Sequence, residues 1–327
     1  MRRKLPSFVL AVLVALATAG VAAATNGGFT PVEPASPNAQ HIQRAYFLIL
    51  GFTAAIFILV ETLLIVFIVK YRSRGRPREV EGAQVLGHTR LELIWTAFPV
   101  VILAIIAAFV FYELPSIDSA PASADPIHIT VEGHQYYWQY DYPNGARSIE
   151  TLHTPVGAVV DLKVVSPDVI HSWWIPALGG KIQAIPGRVN HTWFRADRTG
   201  TFTGQCAQLC GVFHASMLGA VTAESQQAYR HYIATWKDTI GKQIWNGVCA
   251  TCHGNLGQGG YGPPIANNSL LVQPSALYGI VHNGFTGSQG AMPPVGDTWS
   301  TAEFNALAAY VKKNIYKPAP AGGTGGG

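Results

Sequence analysis

Residues 206 to 217 read Cys206-Ala207-Gln208-Leu209-Cys210-Gly211-Val212-Phe213-His214-Ala215-Ser216-Met217. Two thiols, an imidazole and a thioether within one short loop form a soft donor set, suited to copper and poorly suited to calcium or magnesium. A mononuclear blue-copper centre uses one Cys, two His and a weakly bound Met, so the second cysteine is surplus unless it bridges a second ion. Two ions would call for another imidazole from outside the loop. His171, in Val169-Ile170-His171-Ser172-Trp173-Trp174, is the natural supplier, at the end of an expected strand. Three other readings compete: a Cys206 to Cys210 disulfide, a zinc site that leaves Met217 unused, and Met217 as a core gap-filler.

Working outward, the chain holds four cysteines and three methionines, and both types are used sparingly. Cys249 and Cys252 are the other pair, in Cys249-Ala250-Thr251-Cys252-His253, the pattern in which two thiols attach a c-type haem and the histidine ligates iron. A zinc ribbon would need a second such pair, and a thioredoxin-like motif has no need of His253. Met292, in Ala291-Met292-Pro293-Pro294, stands where a second axial ligand is expected; His282 is the rival.

Upstream, Tyr46 to Val69 and Leu91 to Tyr112 are apolar runs long enough for the ~20 helical residues that cross a bilayer. Lys70, Arg72, Arg74, Arg76 and Arg78 lie between them and place that loop in the cytoplasm, leaving all that follows Tyr112 outside. Residues 1–24 have the charged, apolar and small-residue parts of a cleaved secretory signal. Glu61, near mid-bilayer, faces a partner or water, or packs as a neutral acid.

Hydrophobic residues make up 49% of the 327 and charged residues 12%, a balance expected of a chain partly in lipid. A net charge of +4, with basic residues scattered except at Lys70 to Arg78, excludes a nucleic-acid partner. Short β-like runs separated by Gly, Pro and Asn fill 121–223, as in a small sandwich or barrel. Glu224 to Trp236 reads as a connecting helix whose Tyr229, Tyr232 and Trp236 are packing residues, and residues 318–327 as a disordered tail.

The loop at 206–217 resembles that of cytochrome c oxidase subunit II. The likeness continues through both apolar helices, Leu91-Glu92-Leu93-Ile94-Trp95-Thr96, Gly133-His134-Gln135 and Ile185-Pro186-Gly187-Arg188. Residues 241–317 resemble a small class I cytochrome c, with Trp245, Leu307, Tyr310 and Val311 as core. The resemblance implies a multidomain protein: a membrane hairpin in 25–120 with helices about 46–69 and 91–112, and a cupredoxin-like β-sandwich or barrel in 121–223. A linker over 224–240 and an all-α cytochrome c follow.

It implies a CuA pair bridged by Cys206 and Cys210, capped by His171 and His214, with Met217 and the Gln208 carbonyl as weak axial ligands. It also implies one haem c on Cys249, Cys252, His253 and Met292. The implied function is electron transfer from that haem through copper to the haem of subunit I, for oxygen reduction coupled to proton translocation. The partners would be subunit I, subunit III and an external donor such as a soluble or membrane cytochrome c or the bc complex. The implied location is the bacterial inner membrane, with both metal domains on the periplasmic side. Glu92 aligns with an acid at a proton-channel mouth; it also suits a helix start through the macrodipole. Two positions depart from the family. Gln208 replaces a frequent Glu, which argues against magnesium held through it, and Tyr136 replaces a frequent Trp where external cytochrome c docks.

Overall fold

The computed structural model describes residues 30–72, 84, 86–122, 125–287 and 290–318. The expected signal at 1–24, loop residues Arg74, Arg76 and Arg78, and the tail beyond Pro318 lie outside them.

Two helices come first, α1 (Pro37–Tyr71) and α2 (Thr89–Asp118), both long and apolar enough to cross a membrane. Phe57, Ile58, Ile68, Leu93 and Phe111 point outward, as lipid-facing side chains must. The helices run well past the expected 46–69 and 91–112, because hydropathy registers only the stretch in lipid. The added turns are held from outside it: Asn38 Nδ2 donates to Trp193 O (2.7 Å) and Trp193 Nε1 donates to Ile117 O (3.0 Å). His41 pairs with the buried Glu113 between the two helices. The hairpin is therefore clamped to the β domain that follows.

That domain contains β1 (Ile127–His134), β2 (Tyr137–Asp141), β3 (Arg147–Ile149), β4 (Thr151–Pro155), β5 (Val160–Val165), β6 (His171–Trp173), β7 (Ile182–Ala184), β8 (Asn190–Phe194), β9 (Gly200–Gln205) and β10 (Leu218–Glu224). A five-stranded sheet in the order β3-β2-β1-β5-β8 faces a three-stranded one in the order β4-β10-β9, and β6 pairs with β7. Pairings β1–β5 and β4–β10 are parallel, the others antiparallel. Alternation builds the core: Val160, Leu162 and Val164 point inward from β5, and Asp161 and Lys163 point away. His171 opens β6 rather than ending a strand. The turn before it is closed by Asp168, whose Oδ1 accepts from Val169 N and from Ser166 Oγ.

Beyond Ser225, whose Oγ caps the helix by accepting from Ala228 N (3.2 Å), α3 runs unbroken over Gln226–Ile244. The expected boundary between a 224–240 linker and a cytochrome domain from 241 thus falls inside one helix. Tyr229, Tyr232, Ile233 and Trp236 pack on the β-domain core, and Ile240 and Ile244 enter a second core. A π-helical turn (Trp245–Cys249), α4 (Ala250–His253), α5 (Pro274–Asn283), a hairpin of β11 (Phe285–Gly287) and β12 (Gly290–Met292), and α6 (Thr301–Asn314) complete the chain. Gly241 is needed at the crossing of α3 and α6, where a Cβ would collide with the Ala306 carbonyl.

The second core also includes Tyr137 and Ile149 of the β domain. Tyr137 donates to Val295 O (3.2 Å), Gln243 accepts from Ile149 N (3.0 Å), and Arg147 forms two hydrogen bonds to Glu303. The helical unit is packed against the β domain rather than loosely tethered to it.

Candidate metal centres

The loop after β9 is drawn back on itself by Cys206 N donating to Met217 O (2.9 Å), and Ala207 N donates to Ser172 O beside His171 (2.9 Å). A 3-10 turn at His214–Ser216 then brings the loop to β10. These bonds bring all six expected donors together. Cys206 Sγ lies 3.2 Å from the Gln208 carbonyl and 4.0 Å from His171 Nδ1; Cys210 Sγ lies 3.6 Å from His214 Nδ1 and 3.9 Å from Met217 Sδ. The donor atoms of His171, Cys206 and Cys210 all fall within 4.8 Å of one another. Met217 and His171 are fully buried, while His214 is half-buried toward the surface. A four-donor zinc site would leave the thioether and the carbonyl without a role; this set fits two soft ions.

The two thiols differ. Burial raises the Cys206 pKa, but hydrogen bonding to His171, Ser172 and Gln208 outweighs it and brings the thiol down to about 7. Burial and then the neighbouring Cys206 push Cys210 up to about 12.

Sequence reading missed three supports of this site. Asp168 Oδ1 lies 2.8 Å from His171 Nε2, which turns Nδ1 toward Cys206; its Oδ2 accepts from Gln135 N (2.7 Å). Gln135 Nε2 also donates to the Cys210 carbonyl (2.6 Å). Gly133 lies under the His171 ring, where a Cβ would come to 3.0 Å from it. The signal for Asp168 was present in Ser166-Pro167-Asp168, a turn sequence three residues before the histidine.

At the second centre Cys249 ends the π-helical turn and Cys252 and His253 sit on α4. His253 Nδ1 lies 2.9 Å from Pro263 O, which leaves Nε2 for a metal. Gly262 lies flat against that imidazole, where a Cβ would come to 2.8 Å from Cε1. Trp245 is buried, with Nε1 donating to Asn255 O (2.9 Å). Burial pushes Cys249 up to about 12. Met292 ends β12 and packs on the second core, whereas the rival His282 is stacked on Tyr278 within α5. Glycine at the cradle, a free Nε2 and paired thiols fit a covalently held haem.

Glu92 sits in the first turn of α2, its Oε1 accepting from His88 N (2.9 Å) while His88 Nδ1 accepts from Leu91 N (3.3 Å). It serves the helix start; Glu61 is exposed on α1.

Family models match consecutive stretches of the chain: the transmembrane domain of cytochrome c oxidase subunit II over residues 24–112, its periplasmic domain over 146–224, and subunit III of cbb3-type cytochrome c oxidase over 237–311. Cytochrome c oxidase subunit 2 of Alkalihalophilus pseudofirmus is 31% identical over 313 residues, which span 86% of this chain and 90% of that protein. The chain belongs to the cytochrome c oxidase subunit 2 family. The subunit 2 of Cereibacter sphaeroides is 35% identical over 245 residues, 63% of this chain and 78% of that one. Among solved structures, the periplasmic domain of subunit II from Bradyrhizobium japonicum shares 34% identity, covering 37% of this chain and 99% of its own, with a TM-score of 0.35.

As a subunit 2, the chain is part of an oxidoreductase complex, a haem-copper terminal oxidase, with an extracytoplasmic domain behind membrane-spanning helices. Membership implies copper, and the match at 237–311 implies haem.

Orientation by Asp168 has a measurable consequence. Losing the partner that orients a metal-ligating histidine typically costs about 10–100-fold in metal affinity. Asp168→Asn is expected to weaken copper retention to that extent in a chelator titration of the intact oxidase; retention equal to wild type would show that His171 needs no such lock.

Proposed function

We propose that this subunit is where electrons enter a respiratory oxidase. They are accepted on the helical domain, passed to a dinuclear copper pair in the β domain, and handed to the catalytic subunit, where oxygen is reduced to water and protons are translocated. The observation that carries this reading is the convergence of the loop donors Cys206, Gln208, Cys210, His214 and Met217 with His171 of β6, on a chain that also holds a haem-attachment turn packed against the same β domain. When bound, the two groups supply reversible one-electron chemistry.

The residues supply the rest. Cys206, Cys210, His171 and His214 would hold the copper, with Met217 and the Gln208 carbonyl completing the donor set. Asp168 fixes His171, Gln135 holds the Cys210 backbone, and burial of His171, Cys206 and Met217 excludes water, so little rearrangement accompanies a change of charge. His214, nearest the surface of the four Cys and His donors, is the exit toward the catalytic subunit. Cys249, Cys252, His253 and Met292 would hold the haem. Gln208 is exposed and carries no charge, so no magnesium is assigned to it.

The partners of this reading are subunit I, subunit III and an external cytochrome c or bc complex, in a bacterial inner membrane with both domains on the periplasmic side. Rapid mixing of the purified complex with reduced soluble cytochrome c tests it: the haem absorption is expected to change before the copper absorption. Copper reduced first would reverse the proposed order.

Glu92 separates the proton route from the electron route. Glu92→Gln is expected to leave copper reduction normal and to lower oxygen turnover about a hundredfold or more, the scale of a lost proton-transfer group. Unchanged turnover would leave Glu92 as a helix-start residue only.

A further inference from the structure

Three aromatic rings lead from the copper loop to the loop that covers His253. Tyr136 and Phe213 meet edge to face at 5.3 Å and 74°, and Phe213 and Tyr261 at 4.7 Å and 89°. Each end of this series touches residues that hold an expected ligand. Phe213 directly precedes His214, and the Tyr136 hydroxyl lies over Gly211, one residue past Cys210, so closely that a Cβ there would collide with it. On the other side, Tyr261 directly precedes Gly262, which lies on the His253 ring, and Pro263, whose carbonyl meets His253 Nδ1.

Buried area does not account for Tyr261. It is 76% exposed, and the contacts that hold the two domains together lie elsewhere: Tyr137 and Ile149 in the second core, Gln243 on Ile149, and Arg147 on the 2% exposed Glu303. A ring that adds so little to docking is nevertheless set perpendicular to Phe213 at contact distance. Leu209 and Val212, on the same copper loop, are also largely exposed.

Resting on the electron-transfer reading above, we propose that Tyr261 and Phe213 are positioning residues that couple the helical domain to the copper loop. The copper loop then receives electrons from its own chain across this contact. The step is an outer-sphere transfer of one electron between the two domains: one centre is oxidised as the other is reduced, and no bond or proton changes hands.

The test uses the full chain in the purified oxidase, with Tyr261→Leu, Phe213→Leu and the conservative Tyr261→Phe. Amide hydrogen exchange is read at 211–214 and 259–262, with β3 and α6 as the record of docking. Electron passage between the domains is read after a light-induced reduction pulse. Tyr261→Leu and Phe213→Leu are expected to quicken exchange in both loops about fivefold, as loss of an aromatic pair does, leaving β3 and α6 protected. They are expected to slow electron passage severalfold, because an outer-sphere transfer weakens as the contact between the two loops loosens. Tyr261→Phe, which keeps the ring, is expected to restore both.

Passage at the wild-type rate in Tyr261→Leu would overturn the proposal even if exchange changed, since the rings would then be packing alone. Slowing in Tyr261→Phe equal to that in Tyr261→Leu would overturn the ring account as well. A wild-type complex without copper or c-haem absorption would instead sink the functional reading beneath it.

Discussion

Replacing Cys210 with serine is expected to leave the β domain folded but unable to hold a copper pair, and to stop oxygen consumption by the oxidase. Cys210 Sγ lies between two other donors, 3.6 Å from His214 Nδ1 and 3.9 Å from Met217 Sδ, and its ring of contacts is completed by Cys206. A serine hydroxyl fills nearly the same space but is a hard donor that does not ionise at neutral pH, so it cannot bridge two soft ions. The loss must exceed the ~100-fold that follows from removing a mere supporting partner of a ligand. Copper content and turnover of the purified complex check it. Full copper loading with normal turnover would show that Cys206 alone organises the site.

The second large effect lies at the domain boundary. Glu303 receives two hydrogen bonds from Arg147 Nη1, both 2.9 Å, and its Oε2 also accepts from Ser300 N (2.7 Å) and Ser300 Oγ (2.6 Å), closing the capping box that starts α6. Truncating it removes a cap and leaves Arg147 paired with Asp141. Removing one member of a buried pair costs 3–5 kcal/mol, and a lost cap about 1 kcal/mol. Because the Arg147 side chain retains 20% exposure, water recovers part of this, and about 3 kcal/mol is expected for Glu303→Ala. Glu303→Gln keeps an acceptor for Ser300 and should lose less. Denaturant unfolding of the helical domain, followed through its haem absorption, measures both; an alanine variant as stable as wild type would mean that Tyr137, Ile149 and Gln243 hold the interface without the ion pair.

The loop Cys206–Met217 and the turn Cys249–His253 were legible in the sequence because their chemistry is local: soft donors at short spacing have few other uses. The membrane helices were legible for the same reason, through unbroken apolar runs, but their ends were not. The turns at 37–45 and 113–118 are fixed by Trp193 and by the His41–Glu113 pair, partners far away in sequence that hydropathy does not register.

β5 showed in its alternation, whereas β9, Gly-Thr-Phe-Thr-Gly-Gln, buries only Phe202 fully and has no clear apolar face to read. The turn at Asp168 was readable, but its role was not, because an aspartate in a turn is ordinary until the fold brings His171 to it. The connecting helix was legible in Tyr229, Tyr232 and Trp236, but its continuation to Ile244 was not: Gly241 lets α6 approach, and Arg147 of β3 and Glu303 of α6 meet across 156 positions.

The central claim is that one chain holds both an electron-accepting haem and a dinuclear copper pair on the residues named. Metal analysis of the purified complex, combined with electron paramagnetic resonance of the oxidised subunit, tests it most directly. The account predicts two coppers and one covalently bound haem in this chain, with hyperfine structure from an unpaired electron shared over two copper nuclei that disappears in Cys210→Ser. A single copper with hyperfine structure from one nucleus, or a chain without covalent haem, would contradict it.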